Sequence, residues 1–276
     1  MLTLFFWNLN KQPLLTEIAE ICHQYDVDII VLAEFLPDLA TSLLLELNQN
    51  VRPIDPVYIF QASLNQRVAC FHRYSPERMR NVLDEGGISI KEVFPPLNAP
   101  FLLVGVHLPS KLHMTEDEQV FQATRLANVI VETERERDNP RTILIGDLNM
   151  NPFEKGIVSA DGLHAVMDQT TARKASRVVQ GRERSFFYNP MWSYMGDLSP
   201  GPPGTYYYPK GGYINYFWNT FDQVLLRPQI LESFSVYSIN VLTELNHVSL
   251  VNKGQKTPIL SDHLPIIVQM SENLSQ

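Results

Sequence analysis

Eight short apolar runs, each bounded by polar, glycine or proline residues, set the architecture open to this chain: "LTLFFW", "DIIVLAE", "RVACFH", "GISIKEVF", "FLLVGVHL", "RTILIGDLN", "FDQVLLRP" and "PIIVQM". Runs of this length, rich in β-branched and aromatic side chains, read as buried strands. Helical spacing falls between some of them. Leu14, Ile18, Ile21, Cys22 and Tyr25 recur at the 3.6-residue period after Pro13, which suits a first turn, and Leu39, Leu43, Leu44 and Leu47 form a second stripe after Pro37. The longest predicted helix covers about 116–137. It opens on Thr115 with Glu118 three residues on, a capping-box pattern, and carries Val120, Ala123, Ala127 and Ile130 on one face. Strands alternate with helices early and follow one another more closely later, which predicts mixed rather than purely parallel sheets.

No internal repeat or linker divides the chain, so residues 1–276 are expected to form a single domain. No stretch approaches the roughly 20 uninterrupted apolar residues of a transmembrane helix. Met1 runs straight into a strand-like segment with no signal-peptide pattern, and the expected location is cytoplasmic. Cys22 and Cys70 lie in apolar segments, in neither a disulfide nor a zinc spacing, and are expected to be buried free thiols. A net charge of -8 repels a phosphate backbone at long range, so any nucleic-acid binding needs a local positive patch.

One such patch is present. Arg173, Lys174, Arg177, Arg182 and Arg184 precede a stretch of aromatics, prolines and glycines that includes Tyr206, Tyr207, Tyr208, Tyr213 and Trp218. Residues 170–219 are therefore expected to form a large loop excursion. Its arginines can hold backbone phosphates while its aromatics stack on unpaired bases. Alternatively, the aromatics form a satellite core and the arginines a solvated surface.

Six of the strand-like runs carry an acidic, amide or imidazole group near one end: Asn8 and Asn10, Glu34, His107, Asp147 and Asn149, Asp222, and Asp262 with His263. Each has an ordinary structural reading: an Asp before a strand caps a turn, an Asn after one forms an Asx-turn, and a lone His is usually a hydrogen-bonded structural residue. Together they supply hard oxygen ligands for Mg²⁺ and groups for proton transfer, and strands of packed sheets can bring them to one edge.

In order, "WNLN", "DIIVLAE", "VGVHL", "GDLNMNP", "FDQVLL" and "SDHLPI" resemble the motif series of the endonuclease/exonuclease/phosphatase superfamily, across residues 4 to 268. That superfamily includes pancreatic-type deoxyribonuclease, neutral sphingomyelinases and inositol-polyphosphate phosphatases. The resemblance implies an α+β fold, a four-layered α/β/β/α sandwich of two packed mixed β-sheets flanked by helices. It also implies hydrolysis of a phosphoester assisted by Mg²⁺, with Mn²⁺ as a substitute. Glu34 would be the main metal-binding carboxylate, with Asn8, Asn10 and Asp262 in the metal environment. Asp147 would position or deprotonate the attacking water, and Asn149 would hold a phosphate oxygen. His263, oriented by Asp222, would contact the scissile phosphate, and His107 would assist the leaving group. Asn10 stands where several nucleases of the family have Asp, which removes one negative charge from the metal side.

The leading expectation is a nuclease acting on DNA or RNA, with Arg173, Arg177, Tyr206, Tyr213 and Trp218 as substrate contacts. The alternatives are a phosphatase or phospholipase-like enzyme acting on a small phosphoester or lipid head group, and a noncatalytic binding module on the same fold. Zinc and serine hydrolases are disfavoured because neither "HExxH" nor "GxSxG" occurs.

Overall fold

The computed structural model describes residues 1–49, 56–61, 67–96, 98–198, 201–246, 248–252 and 257–272. Strands β1 (Leu2–Asn8), β2 (Ile29–Ala33), β3 (Ile59–Gln61) and β4 (Val68–His72) join Phe234–Val241 and Ile266–Glu272 in a six-stranded sheet. Its spatial order is Phe234–Val241, Ile266–Glu272, β1, β2, β4, β3. Strands β5 (Met79–Glu85), β6 (Ile88–Val93), β7 (Phe101–His107) and β8 (Thr142–Asp147) lie in that order in a seven-stranded sheet, which continues through Asp222–Leu226, Phe187–Tyr188 and Ala165–Val166. Both sheets are mixed: β1 pairs parallel with β2 but antiparallel with Ile266–Glu272, and β8 pairs parallel with β7 but antiparallel with Asp222–Leu226.

Side-chain alternation along the strands builds the layers. Leu4 and Phe6 of β1, Ile143 and Ile145 of β8, Val224 and Leu226, and Val268 and Met270 share one core between the sheets. Their neighbours of opposite parity point outward. Phe5, Trp7, Ile30 and Leu32 meet helices α1 (Leu15–Tyr25) and α2 (Ala40–Leu47). Val104, Leu144 and Leu225 meet helix α3 (Glu116–Glu136) and its neighbours. The result is the expected α/β/β/α sandwich, in which strands buried on both faces are apolar throughout and cannot alternate with polar residues.

Helix α3 keeps its capping box, with the Thr115 side chain accepting from the Glu118 backbone and the Glu118 side chain accepting from Thr115. Its buried face is Gln119, Ala123, Leu126, Ile130 and Thr133, so Val120 and Ala127 flank the buried stripe. Helix α1 starts at Leu15 and leaves Pro13 outside its first turn. Two strands carry no apolar run that would have marked them, β5 ("MRNVLDE") and Phe234–Val241 ("FSVYSINV"). Residues 170–219 include the hairpin Ser176–Val179/Arg182–Ser185, a strand that joins the second sheet (Phe187–Tyr188), and the ribbon Tyr206–Tyr207/Trp218–Asn219, so much of this stretch is short ordered elements. Both thiols are buried and free.

One buried ion pair ties α3 to the second sheet. Arg227, just past Leu226, places Nε 2.8 Å and Nη2 3.2 Å from the Glu134 carboxylate, donates from Nη1 to the Phe186 carbonyl at 3.0 Å, and lies 3.9 Å over the Phe187 ring. It marks the end of the sheet opposite the strand ends described next.

Candidate active site

Sheet register collects the polar residues. His107 of β7 and Asp222 are both direct cross-strand partners of Asp147. Directly opposed residues point to the same face. Asp147 lies two residues beyond Ile145, and Asp222 two before Val224, so both occupy positions that would continue the inter-sheet core. Asn8 does the same in the other sheet, two residues beyond Phe6. Strands of five to seven residues thus run from packed aliphatics to a polar cluster at one edge of the sandwich, closed by residues from both sheets.

The geometry is compact. Asn8 Nδ2 donates to Asp147 Oδ2 at 3.0 Å, and the Asn149 backbone N–H donates to Asp147 Oδ1 at 2.8 Å. Nε2 of His107 lies 3.8 Å and Nε2 of His263 3.9 Å from Asp147 Oδ2. His263 Nδ1 is 2.8 Å from Asp222 Oδ2. Glu34 Oε1 is 3.7 Å from His107 Nε2. Asp147 and Asp222 are 1% and 0% exposed, so their charges have little access to water.

Local backbone shape holds the set in place. Glu34 and Asn149 both adopt left-handed conformations, with φ of 51° and 50°, where their strands end. Asn tolerates that region, but for Glu the cost is on the order of 1 kcal/mol or more, a strain that concentrates at functional sites. Gly146 is required for a different reason: a Cβ there would lie 2.0 Å from the Val106 carbonyl oxygen. Asn10, also left-handed, donates its backbone N–H to Asn8 Oδ1 at 3.1 Å. Asn10 thus orients Asn8 through its main chain, and its side chain is exposed.

Four supports were not singled out in the sequence. Trp7 Nε1 donates to the His263 carbonyl at 3.0 Å, Ser261 Oγ donates to the Asn8 carbonyl at 2.8 Å, Thr205 Oγ1 accepts from the Asp222 N–H at 3.1 Å, and Gln119 Nε2 donates to the Asn149 carbonyl at 2.9 Å. Ser261 could have been found in "LSDH"; the others carry no local signal. Asn149 spends one amide hydrogen on the Leu108 carbonyl at 2.9 Å. Asp262 is half-buried between Ser261 and His263.

The aromatic and basic residues divide. Tyr206 packs its ring 4.5 Å from that of His263 and forms a backbone bridge with it. Trp218 packs on Tyr207, ring centres 5.2 Å apart, and Tyr213 projects fully into solvent. Arg177 instead places Nε 2.9 Å from His164 Nε2, and His164 packs on Phe186, whose carbonyl binds Arg227. Arg173 reaches the Leu231 carbonyl. Both arginines therefore lie toward the Arg227 end of the strand Asp222–Leu226, about 13 Å from its Asp222 end. The structure does not bring Arg173 and Arg177 to the cluster, because the hairpin that carries Arg177 leaves from the opposite edge of the sandwich.

Electrostatics distinguish the two imidazoles. Burial opposes the charge on His263, but Asp222, Asp147 and Asp262 outweigh it and lift its pKa to about 9. Burial dominates at His107 and lowers its pKa to about 4 despite Glu34. Burial also raises Asp147, reinforced by Asp222 and opposed by His263, the Asn149 N–H and the Asn8 amide. Because the folded value of His263 exceeds its ordinary 6.5, its pairing with Asp222 stabilises the fold fully below that value and loses effect as pH rises through about 9. The gap in unfolding temperature between wild type and Asp222→Asn is expected to be widest at acidic to neutral pH and to close above pH ~9. A gap that stays constant across this range would mean the ring does not titrate there.

The donor set suits a hard divalent cation. Asp147, Asp222 and His263 lie within 4.8 Å of one another, but His263 is taken up by Asp222 through Nδ1, which leaves the partly exposed Glu34 carboxylate at the same edge as the group open to a cation. With His107 held neutral, the carboxylates outnumber the charged imidazole, an excess that a divalent ion would neutralise.

Fold and site together define the class: a two-sheet sandwich of the deoxyribonuclease type, with an acidic and imidazole centre at one edge. The Endonuclease/Exonuclease/phosphatase family model matches residues 5–263, and the chain belongs to that family, whose members hydrolyse phosphoester bonds. Similar solved structures include an endonuclease/exonuclease/phosphatase family protein from Bacteroides thetaiotaomicron (TM-score 0.60, 15% identity, 99% of this chain and 98% of that chain). Others are the mannosyl-6-phosphatase Bt3783 of B. thetaiotaomicron VPI-5482 (0.62, 15%, 98% and 100%) and the human Nocturnin catalytic domain with bound sulfate (0.55, 15%, 99% and 94%). No curated protein matches the sequence. No helix among the described residues is long and apolar enough to cross a membrane.

Proposed function

We propose that this protein is a divalent-metal-dependent phosphoester hydrolase that uses Mg²⁺, or Mn²⁺ in its place. The observation that carries this reading is the Asp222–His263 pair set against Asp147, which is itself held by Asn8 and the Asn149 N–H. Glu34 would hold the cation, with Asn8 and Asp262 as further oxygen donors at the same edge. The bound ion supplies Lewis-acid stabilisation of charge on the phosphoryl oxygens.

The protein groups do the rest. Asp147, whose proton affinity is raised by burial, orients the attacking water and receives its proton. His263 is fixed by Asp222 through Nδ1 and presents Nε2 in its charged state to the phosphoryl or leaving oxygen, where negative charge builds up. His107 enters as a neutral hydrogen-bonding ring, because burial disfavours its protonated form, so proton donation falls to His263. Asn149 keeps a second amide hydrogen for a phosphoryl oxygen.

Nucleic acid and small phosphoesters are both substrates consistent with such a centre. The place of Arg173 and Arg177 withdraws from the nucleic-acid reading the support that the basic segment lent it. The loss of an acidic side chain at Asn10 favours a noncatalytic role, but this residue serves the site through its backbone, by holding Asn8.

Two measurements test the reading. Mg²⁺ or Mn²⁺ at 100 times its Kd should stabilise the wild type by about 2.7 kcal/mol, seen as a rise in Tm, and Glu34→Gln should lose most of that rise. Hydrolysis should be screened on labelled single- and double-stranded DNA and RNA, inositol phosphates and sphingomyelin, with metal or chelator. Turnover that survives chelation would overturn the metal requirement, and no turnover on any phosphoester would overturn the enzyme.

A further inference from the structure

A cleft of about 590 Å³ opens beside the centre, reaching it at Asn149 and Tyr206. Its volume falls within the roughly 300–1,000 Å³ of small-molecule sites. Apart from Asn149, no residue given a chemical role above lines it.

The walls of this cleft are aromatic and electrically balanced. Phe153 and Tyr216 pack edge to face with centroids 5.6 Å apart, and Tyr206 stacks between Tyr208 at 6.2 Å and Phe221 at 5.2 Å. Two lysines and two glutamates line it. Of these, Lys111 is bound by Glu154 and lies 5.2 Å over the Phe221 ring, so its charge is already matched. Tyr216 is 58% exposed, which leaves aromatic surface for a ligand to cover.

A polynucleotide lying through this cleft would bring flanking phosphates, each calling for a cation free of a neighbouring carboxylate. The cleft offers one such cation, Lys155, against two glutamates and a matched Lys111, too little for a run of phosphates, and Arg173 and Arg177 lie toward the far end of the sheet. Aromatic faces beside amide groups instead suit one uncharged ring, held by stacking. We infer that the cleft holds the organic group of a small ring-bearing phosphate ester, a nucleoside, aryl or sugar phosphate, with its phosphate at the His263 centre, and that bonds inside a polymer are poor substrates.

In the reaction, the water oxygen bonds to phosphorus as the ester P–O bond breaks. The water proton passes to Asp147, and the departing alcohol takes a proton from His263. This inference rests on the hydrolase reading above, and its test separates the two.

Initial rates with Mg²⁺ should be compared for para-nitrophenyl phosphate, adenosine 5′-monophosphate, glucose 6-phosphate, and single- and double-stranded oligonucleotides labelled at mid-strand. At least one small ester is expected to be hydrolysed with kcat/KM about 100-fold or more above any internal bond. The aryl and nucleoside arms against the sugar arm tell which ring is preferred. Tyr216→Ala should raise KM for the preferred ester about tenfold with kcat little changed, and Tyr216→Phe should restore it. Calorimetry of adenosine 5′-monophosphate and glucose 6-phosphate, run on the same variants, gives a readout independent of turnover. Arg182→Glu, on the far hairpin, should leave every value unchanged.

Internal cleavage of oligonucleotides as fast as small-ester hydrolysis would overturn the inference while leaving the hydrolase intact. An unchanged KM and Kd in Tyr216→Ala would also overturn it. A protein inert on every ester would remove both.

Discussion

Asp147→Asn is expected to lower turnover about 10²- to 10⁴-fold while leaving the unfolding temperature of the metal-free protein equal to or above that of the wild type. The two effects have opposite signs for one reason. Asp147 is 1% exposed, and burial beside Asp222 opposes its ionisation, so its negative charge costs stability in the folded state. Asparagine removes that cost and keeps Oδ1 as acceptor for the Asn149 N–H. What it cannot do is accept the water proton. Its new NH₂ faces that of Asn8, which cannot turn over without losing the bond from the Asn10 N–H to its Oδ1, and this contact offsets part of the gain and limits any rise in Tm. Steady-state rates and a thermal melt on the same preparation decide the matter. Near-wild-type turnover would remove Asp147 from the chemistry, and a large drop in Tm would make it a structural residue.

The largest expected effect on stability lies at the other end of the sheet. Glu134→Gln should cost about 3–5 kcal/mol in denaturant unfolding, with turnover per folded molecule unchanged. The Arg227 side chain is 4% exposed, and its Nε and Nη2 both address Glu134. With the carboxylate gone, a guanidinium packed on Phe187 keeps its charge and cannot reach water. Glutamine keeps one oxygen as acceptor for Thr142 Oγ1 but sets its NH₂ against the Arg227 guanidinium. A loss below about 1 kcal/mol would show that Arg227 finds solvent or another acceptor, in the manner of a surface pair.

How much of this could be read in advance depended on whether a feature was local. Strands buried on both faces announce themselves as unbroken apolar runs, which is why β1, β2, β7 and β8 stood out. Strand β5, with only Met79 fully buried, had no such signature and was missed. The polar groups at the strand ends were visible for the same reason as the strands: Asp147 and Asp222 interrupt patterns that would otherwise continue as core. Residues 173–184 were misleading because proximity along the chain to Tyr206 says nothing about which edge of a sheet a hairpin leaves from. The cleft was invisible, since Lys111, Phe153, Tyr208 and Tyr216 come from three separate segments whose meeting is a matter of tertiary packing.

The strand that opens the chain lies between β2 and the strand that closes it, Ile266–Glu272. His263 stands just ahead of that closing strand, and its carbonyl is bound by Trp7, 256 residues earlier. A ribosome-bound chain thus cannot assemble the centre until residues 263–272 have emerged, and contacts of this sequence separation form slowly. The cluster is in this sense a report on long-range folding: its acidic groups are spread from Glu34 to Asp262, and only the finished pairing of β1 with Ile266–Glu272 sets them together.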